Sequence, residues 1–290
     1  MTKIDILQLL SKTERNVLFY YKSTQSKLVK EGKIGSEEIK KVLTIIEDNI
    51  KEVKNLDNIE WHIFAYIGHL HFLLENYTSA MAYYRSCFHH HNWKIQDQEN
   101  KYVMYGLALC FNKFNCFTWA ISALLGILFI FSDFDHLKDV YYLLGTIYKC
   151  VENNTISRKY YSLATCIYGE FISTECYIKF NLIHLLELEC RYKKALMEYE
   201  QLLNDPDLTN KTKSAIYRQI GSLYYENCVP GSPELVEKYF KESIEFSDSG
   251  ETCYLLGRFY ADHGKVREAF TYYRKSIDKG DCPSDTWCSI

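Results

Sequence analysis

From about residue 61 onward, apolar and small residues fall in a repeating two-part cadence. The first part sets bulky apolar residues at spacings of three and four, with one small residue among them. Twelve residues after that small residue, a second part adds three more buried-type positions at spacings of four and three. Such spacings put side chains on one face of a helix, so each cadence predicts a pair of helices packed face to face. The first copy reads Phe64, Ile67, Gly68, His71, then Ala80, Tyr84, Cys87. The second reads Met104, Leu107, Ala108, Phe111, then Ala120, Leu124, Ile127. The third reads Tyr141, Leu144, Gly145, Tyr148, then Ser157, Tyr161, Ala164. The fourth, weaker, reads Lys179, Leu182, Ile183, Leu186, then Ala195, Tyr199, Leu202. The fifth has Tyr217, Ile220, Gly221, Tyr224; Pro230-Gly231-Ser232-Pro233 delays its second helix, which resumes around Val236, Phe240, Ser243. The sixth, the cleanest, has Cys253, Leu256, Gly257, Tyr260, then Ala269, Tyr273, Ser276.

This cadence is that of the tetratricopeptide repeat, whose small position eight lets two antiparallel helices approach closely. The predicted fold class is therefore all-α, a right-handed α-α superhelix of six degenerate tetratricopeptide repeats over residues 61–283. The small-residue positions fall at 68, 108, 145, 183, 221 and 257, a period longer than the ideal of about 34. The surplus belongs in turns such as Asn153-Asn154, Asn204-Asp205-Pro206 and the Pro-Gly segment. Residues 1–60 lack the motif but carry apolar residues at helical spacing from Ile4 to Val29. After Gly32 and Gly35, a second helix opens at Ser36-Glu37-Glu38 and runs to about Val53. A solenoid must cover its first apolar face, so this pair is expected to form an N-terminal cap. Ser284 to Ile290 reads as the truncated start of a seventh repeat, with Trp287 at position four and Ile290 at position seven. That implies the N-terminal piece of something longer.

Composition narrows the picture. Four prolines in 290 residues suit a helical chain, and 25 Tyr with 16 Phe suit the repeat's aromatic slots. A formal charge of −3 gives no electrostatic case for nucleic acid. Eleven cysteines, an odd number, stand without a signal peptide, and several fill small-residue slots. Reduced thiols behave there as small apolar groups, which points to a reducing compartment. The longest apolar run, Trp119 to Phe131, is too short to span a bilayer and lacks the polar face of an outer helix. Two readings stand: a missing domain or partner covers it, or it is an unusually hydrophobic core helix.

Motifs of chemistry are scarce. His89-His90-His91 are consecutive on a helix and diverge by about 100° each, as do His69 and His71, so neither set converges on a metal. No Cys-x-x-Cys, Gly-rich phosphate loop, Gly-x-Ser-x-Gly or His-x-Asp/Glu pair occurs. No catalytic, cofactor-binding or metal residue is assigned, and the chain is read as not an enzyme. What an array of helix pairs does offer is a concave groove lined by its first helices. Positions two, five, nine and twelve point into it. They give His62, His69 and Phe72; Tyr102 and Tyr105; Tyr142 and Lys149; Tyr177, Phe180, His184 and Glu187; Arg218 and Tyr225; Tyr254 and Arg258. Aromatic and arginine side chains are favoured at protein–protein hot spots, so this set is the candidate partner-binding groove.

Several stretches resemble the UTX/UTY family of histone-lysine demethylases: Tyr66 to Tyr84, Tyr105 to Cys110 with Phe117 to Ile121, Tyr199 to Leu203 and Leu256 to Tyr260. The most specific is Gly264 to Lys279 followed by Ser284 to Ile290. The Pro-Gly insertion of the fifth repeat also sits where that family carries one. The resemblance covers roughly residues 40 to 290. It implies a nuclear chromatin and transcription scaffold whose partners are subunits of COMPASS-like histone methyltransferase complexes. In that family a JmjC domain using iron and 2-oxoglutarate lies beyond the repeats; nothing of it is present in these residues, so no cofactor is expected here.

Fungal corepressors of the Cyc/Ssn type carry related repeats and remain an alternative, as does a free-standing tetratricopeptide adaptor. Less favoured is the repeat region of an O-linked N-acetylglucosamine transferase. Its groove carries an Asn ladder, whereas position nine here reads His69, Leu109, Thr146, His184, Ser222 and Arg258. The isolated chain is expected to show no turnover of a methylated histone peptide supplied with iron and 2-oxoglutarate; product above a buffer control in a mass-spectrometric assay would refute this.

Overall fold

A computed structural model describes residues 40–41, 43–44, 46–47, 61–90, 100–167, 175–226 and 228–279. Twelve α-helices follow one another among the described residues, and these contain no strand. They are α1 (Trp61–Leu73), α2 (Tyr77–His89), α3 (Asn100–Lys113), α4 (Phe117–Ile130), α5 (Leu137–Cys150) and α6 (Asn154–Cys166). Then come α7 (Glu175–Leu188), α8 (Tyr192–Leu202), α9 (Asn210–Tyr225), α10 (Pro233–Phe246), α11 (Gly250–Asp262) and α12 (Val266–Asp278). The sequence reads as one continuous array; by compactness the chain divides into two units, Met1–Ile172 and Ser173–Ile290. Each unit contains three successive helix pairs.

The pairing follows the cadence residue by residue. Each second helix buries three side chains: Ala80, Tyr84 and Cys87 in α2, and Ala120, Leu124 and Ile127 in α4. The trios of the others are Ser157, Tyr161, Ala164; Ala195, Tyr199, Leu202; Val236, Phe240, Ser243; and Ala269, Tyr273, Ser276. Four of the six pairs close on a glycine. A Cβ built on Gly68 would stand 2.7 Å from Tyr84 Cδ1, and one on Gly145 2.7 Å from Tyr161 Cδ1. At Gly221 the clash would be with Phe240 at 2.8 Å, and at Gly257 with Tyr273 at 2.6 Å. The aromatic ring thus lies on bare backbone.

The turn is equally regular within five of the six pairs, all but α9–α10. Glu75, Asn115, Glu152, Cys190 and Gly264 all take left-handed backbone, with φ between 57° and 71°. The next residue's amide then reaches five residues back, as in Asn76 N–H to His71 O at 2.9 Å and Lys265 N–H to Tyr260 O at 2.9 Å. This is the Schellman arrangement, which satisfies the last carbonyls of a helix. The following helices begin on recognisable signals: Asn153 caps α6 through Ile156 N–H, Thr209 caps α9 through Thr212 N–H, and Pro233 opens α10.

The expected N-terminal cap lies mostly outside the described residues, as does the expected start of a seventh repeat. Within the described part, Leu43 and Ile46 are buried against Ile67 and Leu70 of α1. Glu47 accepts hydrogen bonds from Tyr83 at 3.2 Å and pairs with His71 at 3.1 Å. The apolar run resolves into α4 and its C-cap, Phe131. Phe131 is buried, and α4 buries only one stripe, so Trp119 is 67% and Phe129 92% exposed. The extra hydrophobicity therefore sits on the surface of this chain rather than in its core. Among the described residues no helix is long and apolar enough to cross a membrane.

Gly257→Ala should lower stability by about 1–3 kcal/mol, because the added methyl must displace the Tyr273 ring. Chemical denaturation read by circular dichroism checks this; an unchanged midpoint would show that the ring gives way without cost.

Candidate interaction surfaces

The first helices carry the predicted groove residues. In the first unit most of them are engaged in packing. Tyr105 is 1% exposed, stacked on His136 at 6.0 Å and edge-on to Phe134, and is a core residue rather than a groove contact. Phe72 meets Tyr77 edge-on, His62 stacks on Trp61, and Tyr142 lies against Tyr161. Tyr102 donates to Asp135 Oδ2 at 2.9 Å, and Lys101 approaches the same carboxylate at 3.7 Å. Lys149 is half-buried on the last turn of α5.

His69 sits 2.8 Å from the Tyr84 hydroxyl, and burial holds its imidazole down to about 4. A neutral ring accepts from the phenol, which burial in turn holds protonated. His69 is thus part of the helix–helix seam and carries no charge at neutral pH. Of the histidine run, His89 is exposed, His90 half-buried, and His91 lies outside the described residues. Among the described residues no three His, Cys, Asp or Glu side chains gather at metal-binding distance.

The second unit holds a different arrangement. Arg218 on α9 pairs with Glu251 at the start of α11 at 2.6 Å, while its Nε is buried without a hydrogen-bond partner. Arg258 on α11 lies over two rings, with its guanidinium carbon 5.8 Å from the Tyr225 centroid and 5.9 Å from that of Tyr254. Tyr225 donates to Asp262; burial and that bond push its phenol up to about 12. Glu187 on α7 accepts from Tyr199 and from Gln219 Nε2 at 3.5 Å, joining α7, α8 and α9.

On α7, Tyr177 stacks on Phe180 at 5.9 Å and His184 is half-buried. Phe180 is 8% exposed and Tyr254 9%, so both wall the surface from within rather than project from it. The residues brought together are therefore Arg218, Tyr225 and Arg258 with their acidic partners. Sequence reasoning missed those partners, although Glu251 stands at position two of its repeat, as His62, Tyr102 and Tyr177 do in theirs. A separate open cleft of ≈630 Å³ lies between the first half of α7 and the last turns of α8, lined by Lys179, Glu198, Gln201 and Asp205 among others.

These helix pairs, with their glycine–aromatic closures and repeated turns, define a tetratricopeptide-type repeat protein, and solved structures agree. The chain superposes on a tetratricopeptide repeat protein from Parabacteroides merdae with TM-score 0.66 and 12% identity, covering 94% of each chain. The quorum sensor NprR from B. thuringiensis, in its apo form, matches at TM-score 0.62 and 13% identity over 97% of this chain and 78% of its own. A chain of the APC/C hetero-tetramer Cut9-Hcn1 matches at 0.60 and 14% over 98% and 51%. These likenesses establish the fold alone. In sequence, a stretch of 69 residues is 33% identical to the general transcriptional corepressor trfA of Dictyostelium discoideum, spanning 23% of this chain and 5% of that protein. No family model matches the chain.

His69 supplies a pH test. Its folded pKa lies below the unfolded value of 6.5, so its contribution is complete above pH 6.5 and drains away as pH falls toward 4. His69→Gln should flatten the loss of stability between pH 6.5 and 5, by roughly 1–2 kcal/mol. Urea melts of both proteins at these two pH values make the comparison; parallel losses would mean the ring is not buried neutral.

Proposed function

We propose that this chain is a protein-interaction scaffold that takes an extended segment of its partner along the first helices α7, α9 and α11. The observation that carries the reading is Arg218, whose buried Nε lacks an acceptor, beside Arg258 spread over two tyrosine rings. An orphaned buried donor costs free energy until an acceptor arrives. A carbonyl or carboxylate of an incoming peptide would supply one. Tyr225 and Arg258 add the flat, desolvated contact area that hot spots use.

The resemblance at Gly264 to Lys279 takes the reading further, to the scaffold region of a UTX-like histone demethylase acting in chromatin and transcription. On that reading the chain works in the nucleus and meets COMPASS-like methyltransferase subunits; iron and 2-oxoglutarate would belong to a JmjC domain beyond these residues. The stretch shared with a general transcriptional corepressor supports the neighbouring reading, a corepressor scaffold. Both place the chain in transcription regulation, and neither assigns it catalysis.

Labelled peptides rich in acidic and aromatic residues should bind with salt-sensitive affinity, measured by fluorescence anisotropy. Arg218→Ala and Arg258→Ala should each weaken binding by about tenfold, the scale of a single hot-spot contact of roughly 1–2 kcal/mol. Equal affinity in wild type and both variants would remove this surface as the site. Co-purification with COMPASS-like subunits, against co-purification with DNA-bound repressors, separates the two finer readings.

A further inference from the structure

Among the described second helices, α4 alone exposes no charge. The solvent faces of its counterparts carry Arg85 on α2, Lys159 on α6, Lys193 on α8, Lys238 on α10 and Arg267 on α12. On α4 the exposed positions are Thr118, Trp119, Ser122, Leu125 and Phe129. They lie across the helix from its buried trio, Ala120, Leu124 and Ile127, and so face away from α3. The Ser122 hydroxyl donates back to Thr118 O at 2.9 Å, so it brings no unpaired donor to the face. A face of this kind has nothing with which to select a charged partner.

Its size suits a dimer. Trp119 is 67%, Phe129 92% and Leu125 38% exposed. A whole aromatic side chain of this kind covers about 150–250 Å², so with Thr118 and Ser122 the patch comes to roughly 500 Å². Two such patches pressed together bury about 1,000 Å², the lower bound for specific association between proteins.

Its layout is palindromic. Trp119 and Phe129 stand five residues either side of Leu124, and the small Ser122 and Gly126 stand two residues either side. At the helical rise the two aromatics are about 15 Å apart along the axis. Two copies of α4 laid antiparallel, level at Leu124, set Trp119 of each copy against Phe129 of the other. Ser122 and Gly126 let the helices approach between these contacts. The charges nearest in the chain are the exposed Lys113 before α4 and the exposed Asp133 after it. An antiparallel pair brings these opposite signs to the same end, whereas a parallel pair brings like signs together.

We propose that this chain forms a homodimer through the solvent face of α4, the two copies packing antiparallel about a twofold axis. The interface is isologous, so each contact is made twice. Its modest area makes the association reversible and weak, in the micromolar range. Because the contact is apolar, high salt leaves it intact.

The test is sedimentation velocity of the intact chain across the micromolar range, at low and high salt. The wild type should pass from monomer to dimer at both. Trp119→Lys and Phe129→Glu alter exposed side chains, so the circular dichroism spectrum and melting midpoint should not change. Each should weaken dimerisation about tenfold or more. An equimolar mixture of the two variants should recover a dimer, because one contact stays native and the other sets the new lysine against the new glutamate. Phe270→Glu, at an exposed aromatic of α12, should leave the dimer intact. A wild type that stays monomeric, or association that survives both α4 variants, would overturn the proposal. So would a monomer that binds an amphipathic helical peptide through Trp119, which would give the face to a different partner. No recovery in the mixture would overturn the antiparallel arrangement.

Discussion

The fold rests on an aromatic ring lying on a backbone that has no side chain beneath it. Gly68 under Tyr84, Gly145 under Tyr161, Gly221 under Phe240 and Gly257 under Tyr273 repeat one contact four times. A ring at that distance brings the two helix axes close and buries three side chains of the second helix, leaving its other faces to solvent. The contact also reaches between neighbours. The Tyr84 hydroxyl would meet a Cβ on Gly106 at 2.6 Å, so a single ring closes one pair and admits the first helix of the next. Where the small residue is missing the packing changes. Ile183 occupies that position in the fourth repeat, in one core cluster with Tyr199, and α8 is the shortest of the described helices, at 11 residues.

That same constraint explains what was legible. The cadence of position eight against positions twenty, twenty-four and twenty-seven named all eighteen buried residues of the second helices, because ring-on-glycine packing tolerates little variation. The first helices are packed on two sides, by their own partner and by the next pair, so their periodicity blurs. The groove suffered most for this reason. Tyr105, Phe180 and Tyr254 stand at positions that face inward on an ideal array, yet each is covered by neighbours such as His136, Tyr199 and Tyr273. Charge partners were illegible altogether. Glu251 and Asp262 meet Arg218 and Tyr225 across 33 and 37 residues, and only the stacking of repeats brings them together.

The two ways a second helix handles its free surface differ along the chain. On α12 the exposed positions are largely charged, with Arg267, Glu268, Arg274 and Lys275 beside the apolar Val266 and Phe270. On α4 they are Thr118, Trp119, Ser122, Leu125 and Phe129, with no charge at all. The seam cannot account for this difference, since both helices bury a similar trio. Exposed apolar area of this size is uncommon on a surface that meets only water.

The turns show how far the array overrides local preference. Left-handed backbone costs an ordinary residue roughly 1–2 kcal/mol relative to glycine, yet only one of the five such positions among the described residues is glycine, Gly264. Glu75, Asn115, Glu152 and Cys190 accept that strain. The chain has to reverse within three residues if the ring of the second helix is to land on position eight of the first. The same turn hydrogen bonds recur in all five whatever the side chain, as in Cys116 to Phe111 and Arg191 to Leu186. Since the backbone at this step is fixed by the seam, its side chain is free to vary, and variable side chains on rigid turns are where repeat proteins can place chemistry without disturbing the fold.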